Sequence, residues 1–439
     1  MQLPADGELP LTPTAAELRG WIADAARRSA ELVWDLDEAQ LLGPYLPTVN
    51  PLRWEIAHAA WFFSRWVVRD ALGRPPVRAD EDALFDSIAI AHAVRWVLPL
   101  PSIEDTRAYV EAAHAQVLAA LDDAPDERTR YLAAYAVFHE DMHTEAFTYA
   151  RQTLGYAPPA LTGCARLAPT SIGPLGDAAI PGGRFRLGAE PGDGFVFDNE
   201  KWAHEVEVAP FSIARTAVSQ GELAAFVDDG GYLRRELWSP AGWAWRSADA
   251  RTAPRFWRRG AAGWERRWFD RWEPIDPAIA MLHVAAYEAE AYCAWAGRRL
   301  PTELEWEVAA AGEPDGRGGL APVKRRYPWG EGAPDATRAN LDTRALGPID
   351  VGALPDGDSA FGCRQMLGNV WEWTATAFEA YPGFEADMYR EYSAPWFRSH
   401  RVLRGGAYST RARLLRTTWR NFYTPNRDDV MTGFRTCAR

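Results

Sequence analysis

The chain changes its hydrophobic pattern near residue 155, and this change constrains the fold more than any other feature. Before that point, four segments carry apolar residues three and four positions apart, which is the spacing of an amphipathic helix. They cover 14–36, 52–73, 102–123 and 126–155. Four successive helices of this kind predict an up-and-down four-helix bundle. The connection over 73–101 is long and mostly irregular, and such excursions in a compact bundle are often functional.

Residues that favour helix starts and ends lie at the edges of these four segments. They are Thr12-Pro13, Asn50-Pro51 and Ser102 at starts, and Gly73 and Gly155 at ends. The local signals therefore support the same four helices as the periodicity.

The rest of the chain is rich in glycine, and most of its 21 tryptophans fall after residue 200. One clear helix is predicted over 283–297, and a second short helix has Thr302 as its N-cap with Glu305 completing a capping box. A Pro/Gly-rich linker precedes this half. We therefore predict two domains, a helical bundle over 1–160 and a loop-rich mixed α/β domain over 170–439.

Composition argues against several classes of function. The 48 basic residues are scattered and are outnumbered by 60 acidic ones, for a net charge of -12, so nucleic acid is not an expected partner. The four cysteines are widely spaced without a C-x-x-C pair, which fits a reducing compartment. No apolar run reaches the roughly 18 residues of a membrane helix, and the N-terminus does not resemble a secretion signal. We expect a cytoplasmic protein with no membrane partner.

The run "HEDMH" places His139 and His143 four residues apart on a predicted helix, so that both imidazoles can reach one metal ion. It also matches the H-E-x-x-H pattern of zinc hydrolases, in which Glu140 would be the general base. The third ligand of metzincins is missing because position 149 is Tyr149. A zinc hydrolase with another third ligand stays open, and so does a pair of histidines that merely pack in the core.

His58 lies on the second predicted helix and could face this pair if the two helices pack antiparallel. Three neutral imidazoles suit Fe(II), Co(II) or Zn(II) about equally. Glu145 points away from the face shared by His139 and His143, so we expect it to hold a ligand histidine in place rather than to bind the metal. A histidine among aromatic residues can equally be ordinary core packing.

Both halves of the chain resemble known families. The first half resembles a DinB-type bundle, with His58 and the His139, His143, Glu145 run matching its metal motif. The second resembles formylglycine-generating-enzyme-type (sulfatase-modifying-factor) domains, which have a C-type-lectin-like fold. The matching motifs are "IPGGRFRLGAE", "AYCAWAGRRLPTELEWEVAA", "YPWGE", "GNVWEWT", "RVLRGGAYS" and "GFRTCAR". The resemblance implies a bundle that carries the metal ligands, followed by this domain.

The combination of the two resembles the sulfoxide synthases of ergothioneine biosynthesis. This resemblance implies an Fe(II) enzyme that uses O2 to join a chalcogen donor to the imidazole of hercynine, Nα-trimethylhistidine. The two close C-terminal cysteines of copper-dependent formylglycine-generating enzymes are absent from this chain. The resemblance also implies that Asn421 and Phe422 contact hercynine, whose quaternary ammonium group favours aromatic faces.

Departures from the family pattern concern the donor substrate. Met142 stands where relatives commonly have glutamine, Arg95 stands alone where those using γ-glutamylcysteine tend to have an arginine pair, and Tyr423 replaces an acidic residue. A donor with several charges needs matching partners, because an unmatched buried charge is costly. These positions resemble those of selenoneine synthases, which join hercynine to a selenosugar.

We therefore expect C–Se bond formation with a selenosugar. The alternatives are C–S bond formation with a thiol such as cysteine or γ-glutamylcysteine, and the zinc hydrolase. A non-catalytic binding module is a further possibility because lectin-like binders share the scaffold of the second half. Some relatives place a tyrosine where Phe378 stands, which leaves Tyr381 as the nearest phenol and the candidate catalytic acid.

Overall fold

The computed structural model describes residues 12–165 and 176–439. Residues 1–11, the middle part of the predicted linker (166–175) and the predicted start of the second domain at 170 lie outside the described residues. The statements below concern the described part of the chain.

The chain divides into two compact units. The first contains the residues up to Thr162 together with the short segment Pro191–Val196, and the second contains Gly163–Glu190 and Phe197–Arg439. The short segment packs on the bundle through Phe195, whose ring lies 4.8 Å from that of Phe138, measured between centroids. No sequence pattern had pointed to this return of the chain to the first unit.

The first unit is a four-helix bundle, as predicted, but it does not have the predicted up-and-down order. The second and fourth helices of an up-and-down bundle run parallel. Here Glu55 contacts His143, and Phe62 contacts His139 and Tyr135, so the second and fourth long helices run antiparallel. The helices of this unit are α1 (Ala15–Val33), α2 (Glu38–Leu42), α3 (Leu52–Phe63), α4 (Glu81–Phe85), α5 (Ile103–Asp122) and α6 (Glu127–Leu154). A π-helical segment, Ser64–Ala71, continues α3, and a short 3-10 helix, His92–Trp96, lies in the long connection. Both α1 and α3 pack against α5 and α6. The long connection therefore contains α4 and the 3-10 helix as local structure.

Side-chain caps define the helix ends in the bundle. Thr14 accepts a hydrogen bond from the Glu17 backbone N–H, and Glu17 bonds back to Thr14, so the capping residue lies two positions after the predicted Thr12. Ser102 caps α5 as predicted. Gly155 ends α6 with a φ of 70°, which a glycine adopts without strain.

The second unit consists of short elements joined by long loops. Its helices are α7 (Gln220–Asp228), α8 (Pro240–Ala248), α9 (Ala286–Trp295) and α10 (Glu303–Ala311). Its strands are β1 (Asp177–Ile180), β2 (Gly183–Leu187), β3 (His204–Val208), β4 (Phe211–Ala214), β5 (Trp257–Gly260), β6 (Gly263–Trp268), β7 (Arg271–Pro274), β8 (Gly312–Pro314), β9 (Leu320–Lys324), β10 (Trp371–Ala377), β11 (Arg401–Arg404), β12 (Asn421–Tyr423) and β13 (Thr432–Gly433). Short 3-10 helices are Asp198–Glu200, Gly231–Leu233, Arg235–Leu237, Pro355–Gly357, Ala394–Trp396 and Ala412–Leu414.

The central sheet of the second unit has the strand order β12-β11-β10-β13, in which only β10 and β13 are parallel. A separate antiparallel meander is formed by β5, β6 and β7, and the remaining strands pair as β1-β4, β2-β3 and β8-β9. The two predicted helices of this half correspond to α9 and α10, and the capping box of Thr302 and Glu305 is present. The predicted mixed, loop-rich fold is thereby confirmed.

Buried aromatic side chains and ion pairs hold this loop-rich unit together. Trp306, Trp371 and Trp373 are completely buried. The Glu307 carboxylate accepts hydrogen bonds from Arg404 and from Lys324 Nζ, the latter at 2.8 Å. Because a buried charge without a partner is costly, these pairs fix the loops that carry them.

Two further expectations concern cysteines and membranes. Cys164, Cys293, Cys363 and Cys437 are all free thiols, as their spacing predicted. Among the described residues, none of the helices combines the length and the hydropathy that a bilayer crossing requires.

Candidate metal centre

Three histidines meet inside the four-helix bundle. His58 comes from α3, and His139 and His143 come from successive turns of α6. Their potential ligand atoms all lie within 4.8 Å of one another. The closest measured pair is His139 Nε2 and His143 Nε2, at 3.3 Å. The antiparallel packing of α3 against α6 thus brings His58 to the other two histidines.

Hydrogen bonds at Nδ1 orient two of the three rings. The backbone carbonyl of Phe85 lies 2.7 Å from His58 Nδ1, and a carboxylate oxygen of Glu55 lies 2.8 Å from His143 Nδ1. With these acceptors in place, Nδ1 carries the proton and Nε2 keeps its lone pair. The Nε2 lone pairs of His58 and His143 are therefore available to bind the same metal ion.

Burial favours the neutral form of two of these imidazoles, His58 and His139. Burial, and then the nearby His143, lower the pKa of His58 well below its ordinary value. Burial, followed by His143 and His58, does the same for His139. Aromatic rings provide the dry surroundings: Trp54 stacks on His58 with centroids 5.0 Å apart, and Phe62 stacks on His139 at 3.9 Å. Neutral imidazole is the form that binds metal ions.

The spacing and chemistry of the three rings fit a divalent first-row metal ion. Two nitrogens that each bind one ion at about 2.1 Å can be at most about 4.2 Å apart. The His139–His143 distance of 3.3 Å lies within this limit. The 4.8 Å bound on the whole set exceeds it by only about 0.6 Å, which small side-chain rotations can close.

The long connection between α3 and α5 is attached to the helix that carries His58. Trp54 Nε1 donates to the carbonyl of Leu84 at 2.7 Å, one residue before the carbonyl that orients His58. Trp61 Nε1 donates to Asp82 at 2.7 Å. Residues 54, 58 and 61 lie on one face of α3, so α4 is bonded along that face. The connection thereby helps to determine the orientation of a candidate metal ligand.

Arg95, predicted to bind the donor substrate, is also part of this arrangement. Its guanidinium lies 3.9 Å from the centre of the Trp54 ring. It donates to Asn50 Oδ1 at 2.7 Å and to the carbonyls of Ser87 and Ile90. These contacts are internal to the bundle, and the predicted contact with substrate stays a prediction.

Three other predicted residues lie on α6. Met142 is half-buried next to His143, and Glu145 is buried but outside the group of nearby ligand atoms. Glu140, the general base of the hydrolase alternative, accepts a hydrogen bond from Ser29 at 2.7 Å and lies 3.0 Å from His114 Nε2. These two contacts engage both oxygens of Glu140 with residues outside the histidine triad.

The predicted hercynine contacts, Asn421 and Phe422, lie in the second unit on the edge strand β12, followed by Tyr423 at the position connected with the donor. All three residues are half-buried. Phe422 stacks on Phe378 with ring centroids 4.0 Å apart and an interplanar angle of 12°. The Arg427 guanidinium lies 4.9 Å from the Tyr423 ring. The strand therefore presents an amide and aromatic surfaces from consecutive positions.

Tyr381, the candidate catalytic acid, is buried in the second unit. Its hydroxyl lies 3.3 Å from a carboxylate oxygen of Glu303, and the Arg420 guanidinium lies 4.0 Å from its ring centre. Burial raises the pKa of Tyr381 well above its ordinary value. A catalytic role for this phenol stays a prediction.

Sequence reasoning missed Glu55 and Trp54. Glu55 lies one turn before His58, and this spacing was a signal that both side chains share one face of the helix. Trp54 is one of the aromatic residues around His58, and its indole N–H bonds to the long connection. Both assignments required the register between helices.

Comparisons with known proteins agree with the two-part organisation. Residues 22–153 match the model of the DinB superfamily, and residues 175–439 match that of the sulfatase-modifying factor enzyme 1-like domain. The hercynine oxygenase of Mycolicibacterium thermoresistibile is 40% identical over 433 residues, which are 96% of this chain and 95% of that protein. The hercynine oxygenase of Mycolicibacterium smegmatis is 39% identical, covering 94% of this chain and 96% of the relative. The chain belongs to the hercynine oxygenase family.

Membership in the hercynine oxygenase family confirms the predicted relation to the sulfoxide synthases of ergothioneine biosynthesis and identifies the chain as an oxidoreductase. The formylglycine-generating enzyme of Thermomonospora curvata is 35% identical but covers only 60% of this chain, with 93% of that enzyme included. The hercynine oxygenases match both units, whereas this relative is shorter than the chain by about the length of the bundle.

Proposed function

We propose that the chain is an Fe(II)- and O2-dependent synthase that joins the imidazole of hercynine to the selenium of a selenosugar. The observation that carries the proposal is the histidine triad inside the bundle, in a chain that matches a hercynine oxygenase over 96% of its length. In the balanced reaction, the imidazole C–H, the donor Se–H and O2 give a C–Se(=O) linkage and one water. O2 accepts four electrons, two for the new bond and two for the oxidised selenium.

His58, His139 and His143 would hold the iron, which when bound would supply the one-electron and O2 chemistry that the side chains lack. The acceptors at Nδ1 of His58 and His143 keep Nε2 free for this purpose. The aromatic rings around the triad exclude water. In this proposal the predicted role of Glu145 is to hold a ligand histidine in place.

Hercynine would be bound by Asn421 and Phe422. A quaternary ammonium group is attracted to the faces of aromatic rings, and the half-buried Phe422, which stacks on the buried Phe378, is an aromatic ring of this kind. The Asn421 side chain can both donate and accept hydrogen bonds and would orient the polar end of the substrate. Tyr381 would serve as the proton donor.

The residues at the three positions that differ from the family pattern agree with a donor substrate that carries little charge. Met142 carries no charge or strong hydrogen-bonding group, and the guanidinium of Arg95 is already bonded to Asn50, Ser87 and Ile90. Tyr423 stands where a charged partner for an ammonium group would be needed. A neutral sugar leaves no buried charge unmatched at these positions.

The second candidate is formation of a C–S bond between hercynine and a thiol such as cysteine or γ-glutamylcysteine. It is favoured by identities of about 40% with hercynine oxygenases of three mycobacterial species. The zinc hydrolase is not favoured, because Glu140 bonds to Ser29 and His114.

A competition assay distinguishes the two candidates. Purified protein is loaded with Fe(II) and given hercynine, O2 and an equimolar mixture of a selenosugar, the matching thiosugar, cysteine and γ-glutamylcysteine, and the products are identified by mass spectrometry. We expect the selenosugar adduct to dominate, to disappear without O2, and to be lost in a His143→Ala variant. Predominance of the cysteine or γ-glutamylcysteine adduct would establish the second candidate instead.

A further inference from the structure

Glu55 is buried, with only 3% of its surface exposed, and its carboxylate touches a candidate metal ligand. It lies on α3, three residues before His58, and its Oε1 atom is 2.8 Å from Nδ1 of His143 on α6. One helix therefore supplies both a ligand and the hydrogen-bond acceptor of a ligand on another helix. Neither the resemblance nor the sequence pattern assigned a role to Glu55.

The triad is asymmetric because of this contact. The acceptor at His58 Nδ1 is the neutral carbonyl of Phe85, whereas the acceptor at His143 Nδ1 is a carboxylate. A carboxylate acceptor holds the tautomer in which Nε2 is unprotonated and increases the electron density at that nitrogen. Nε2 of His143 is therefore a stronger electron donor to a metal ion than Nε2 of His58.

A second consequence concerns charge. The three imidazoles are neutral ligands, so they do not balance the charge of a divalent ion. A buried carboxylate is costly unless a positive group compensates it, and a neutral histidine compensates it only through a hydrogen bond. A cation on the far side of the same ring would compensate it more fully.

We propose that Glu55 is a positioning residue that gives the histidine triad much of its affinity for a divalent metal ion. It acts through His143, by fixing the ring and by placing one negative charge beside the neutral ligands. This inference rests on the metal centre of the proposed function but not on its substrates.

The chain contains a matched control for this carboxylate. Glu140 is also buried, at 1% exposure, and also contacts a histidine, with 3.0 Å between Oε2 and His114 Nε2. His114 is not part of the triad. Glu55→Gln and Glu140→Gln therefore remove the same charge from a comparable contact, but only the first contact involves a candidate ligand.

The test is an anaerobic titration of metal-free protein with Fe(II), and with Co(II) followed by its visible absorption, together with thermal unfolding of the metal-free form. We expect Glu55→Gln to weaken both affinities about 10-fold and Glu55→Ala about 100-fold, the range found for acceptors of metal-bound histidines. The Co(II) spectrum of Glu55→Gln should shift, because the donor strength of His143 changes. Metal-free Glu55→Gln should still unfold cooperatively, which would show that its loss of affinity does not come from misfolding.

The control should show the opposite behaviour. Glu140→Gln should retain the wild-type affinity and spectrum, because its side chain contacts Ser29 and His114 rather than a histidine of the triad. Wild-type affinity in Glu55→Gln would overturn the proposal, and so would an affinity loss that Glu140→Gln shares. If Glu55→Gln weakens binding as expected but the wild-type enzyme forms no hercynine product, the proposed function fails and the role of Glu55 stands.

Discussion

Replacing Trp54 with phenylalanine tests whether the long connection is fixed to the helix that carries His58. The substitution keeps an aromatic ring between Arg95 and His58 but removes the indole N–H that donates to Leu84. Trp54 is completely buried and Leu84 is 5% exposed, so water cannot easily replace the lost donor. A buried acceptor without a partner costs about 1–3 kcal/mol.

Trp61→Phe is the matched comparison. Trp61 also stacks on His58, with centroids 5.7 Å apart, and also donates to the long connection. Its acceptor is the carboxylate of Asp82, whose side chain is 52% exposed and can bind water instead. The loss of ring volume is the same in both variants and cancels in the difference. We therefore expect Trp54→Phe to destabilise the bundle by about 2 kcal/mol more than Trp61→Phe.

A difference of about 2 kcal/mol corresponds to roughly 4–8 °C in melting temperature for a unit of this size. Urea unfolding, fitted with a separate transition for each unit, gives the free energies, and hydrogen exchange of peptides covering α3 and α4 locates the change. Because Leu84 precedes the carbonyl that orients His58, Trp54→Phe should also weaken metal binding. Equal stabilities of the two variants, or unchanged exchange in α4, would refute the attachment.

Three further outcomes are expected. Burial lowers the pKa of His283 to about 4, so the stability that its neutral form contributes is complete above pH 6.5 and is lost as the pH falls towards 4. Urea unfolding of the wild type and of His283→Gln measures this contribution. The stability of the wild type relative to the variant should drop by about 3 kcal/mol over this pH range. Glu307→Gln should cost about 3–5 kcal/mol in the same assay because it removes the carboxylate that Arg404 Nη2 binds in the core, and a loss under 1 kcal/mol would contradict this. Phe422→Ala should raise the KM for hercynine at least 10-fold with little change in that for the donor; equal changes for both substrates would remove its assignment to hercynine.

Much of the fold was accessible from the sequence because local chemistry defines it. The apolar spacing of the four bundle helices, the Ser102 cap and the capping box of Thr302 and Glu305 depend on residues within one or two turns of each other. The i, i+4 spacing of His139 and His143 likewise made their common direction a property of the helix itself. Such features need no knowledge of the distant chain.

The tertiary structure decided what surrounds those two histidines. Glu55 bonds to His143 and Phe85 bonds to His58 only because of the register between α3, α4 and α6, which differ widely in sequence position. Glu145 follows His143 by only two residues in the sequence, yet the carboxylate at His143 Nδ1 is that of Glu55 on α3. Sequence spacing determines which side chains share a helix face, whereas helix packing determines what that face meets, and packing depends on contacts between residues far apart in the chain.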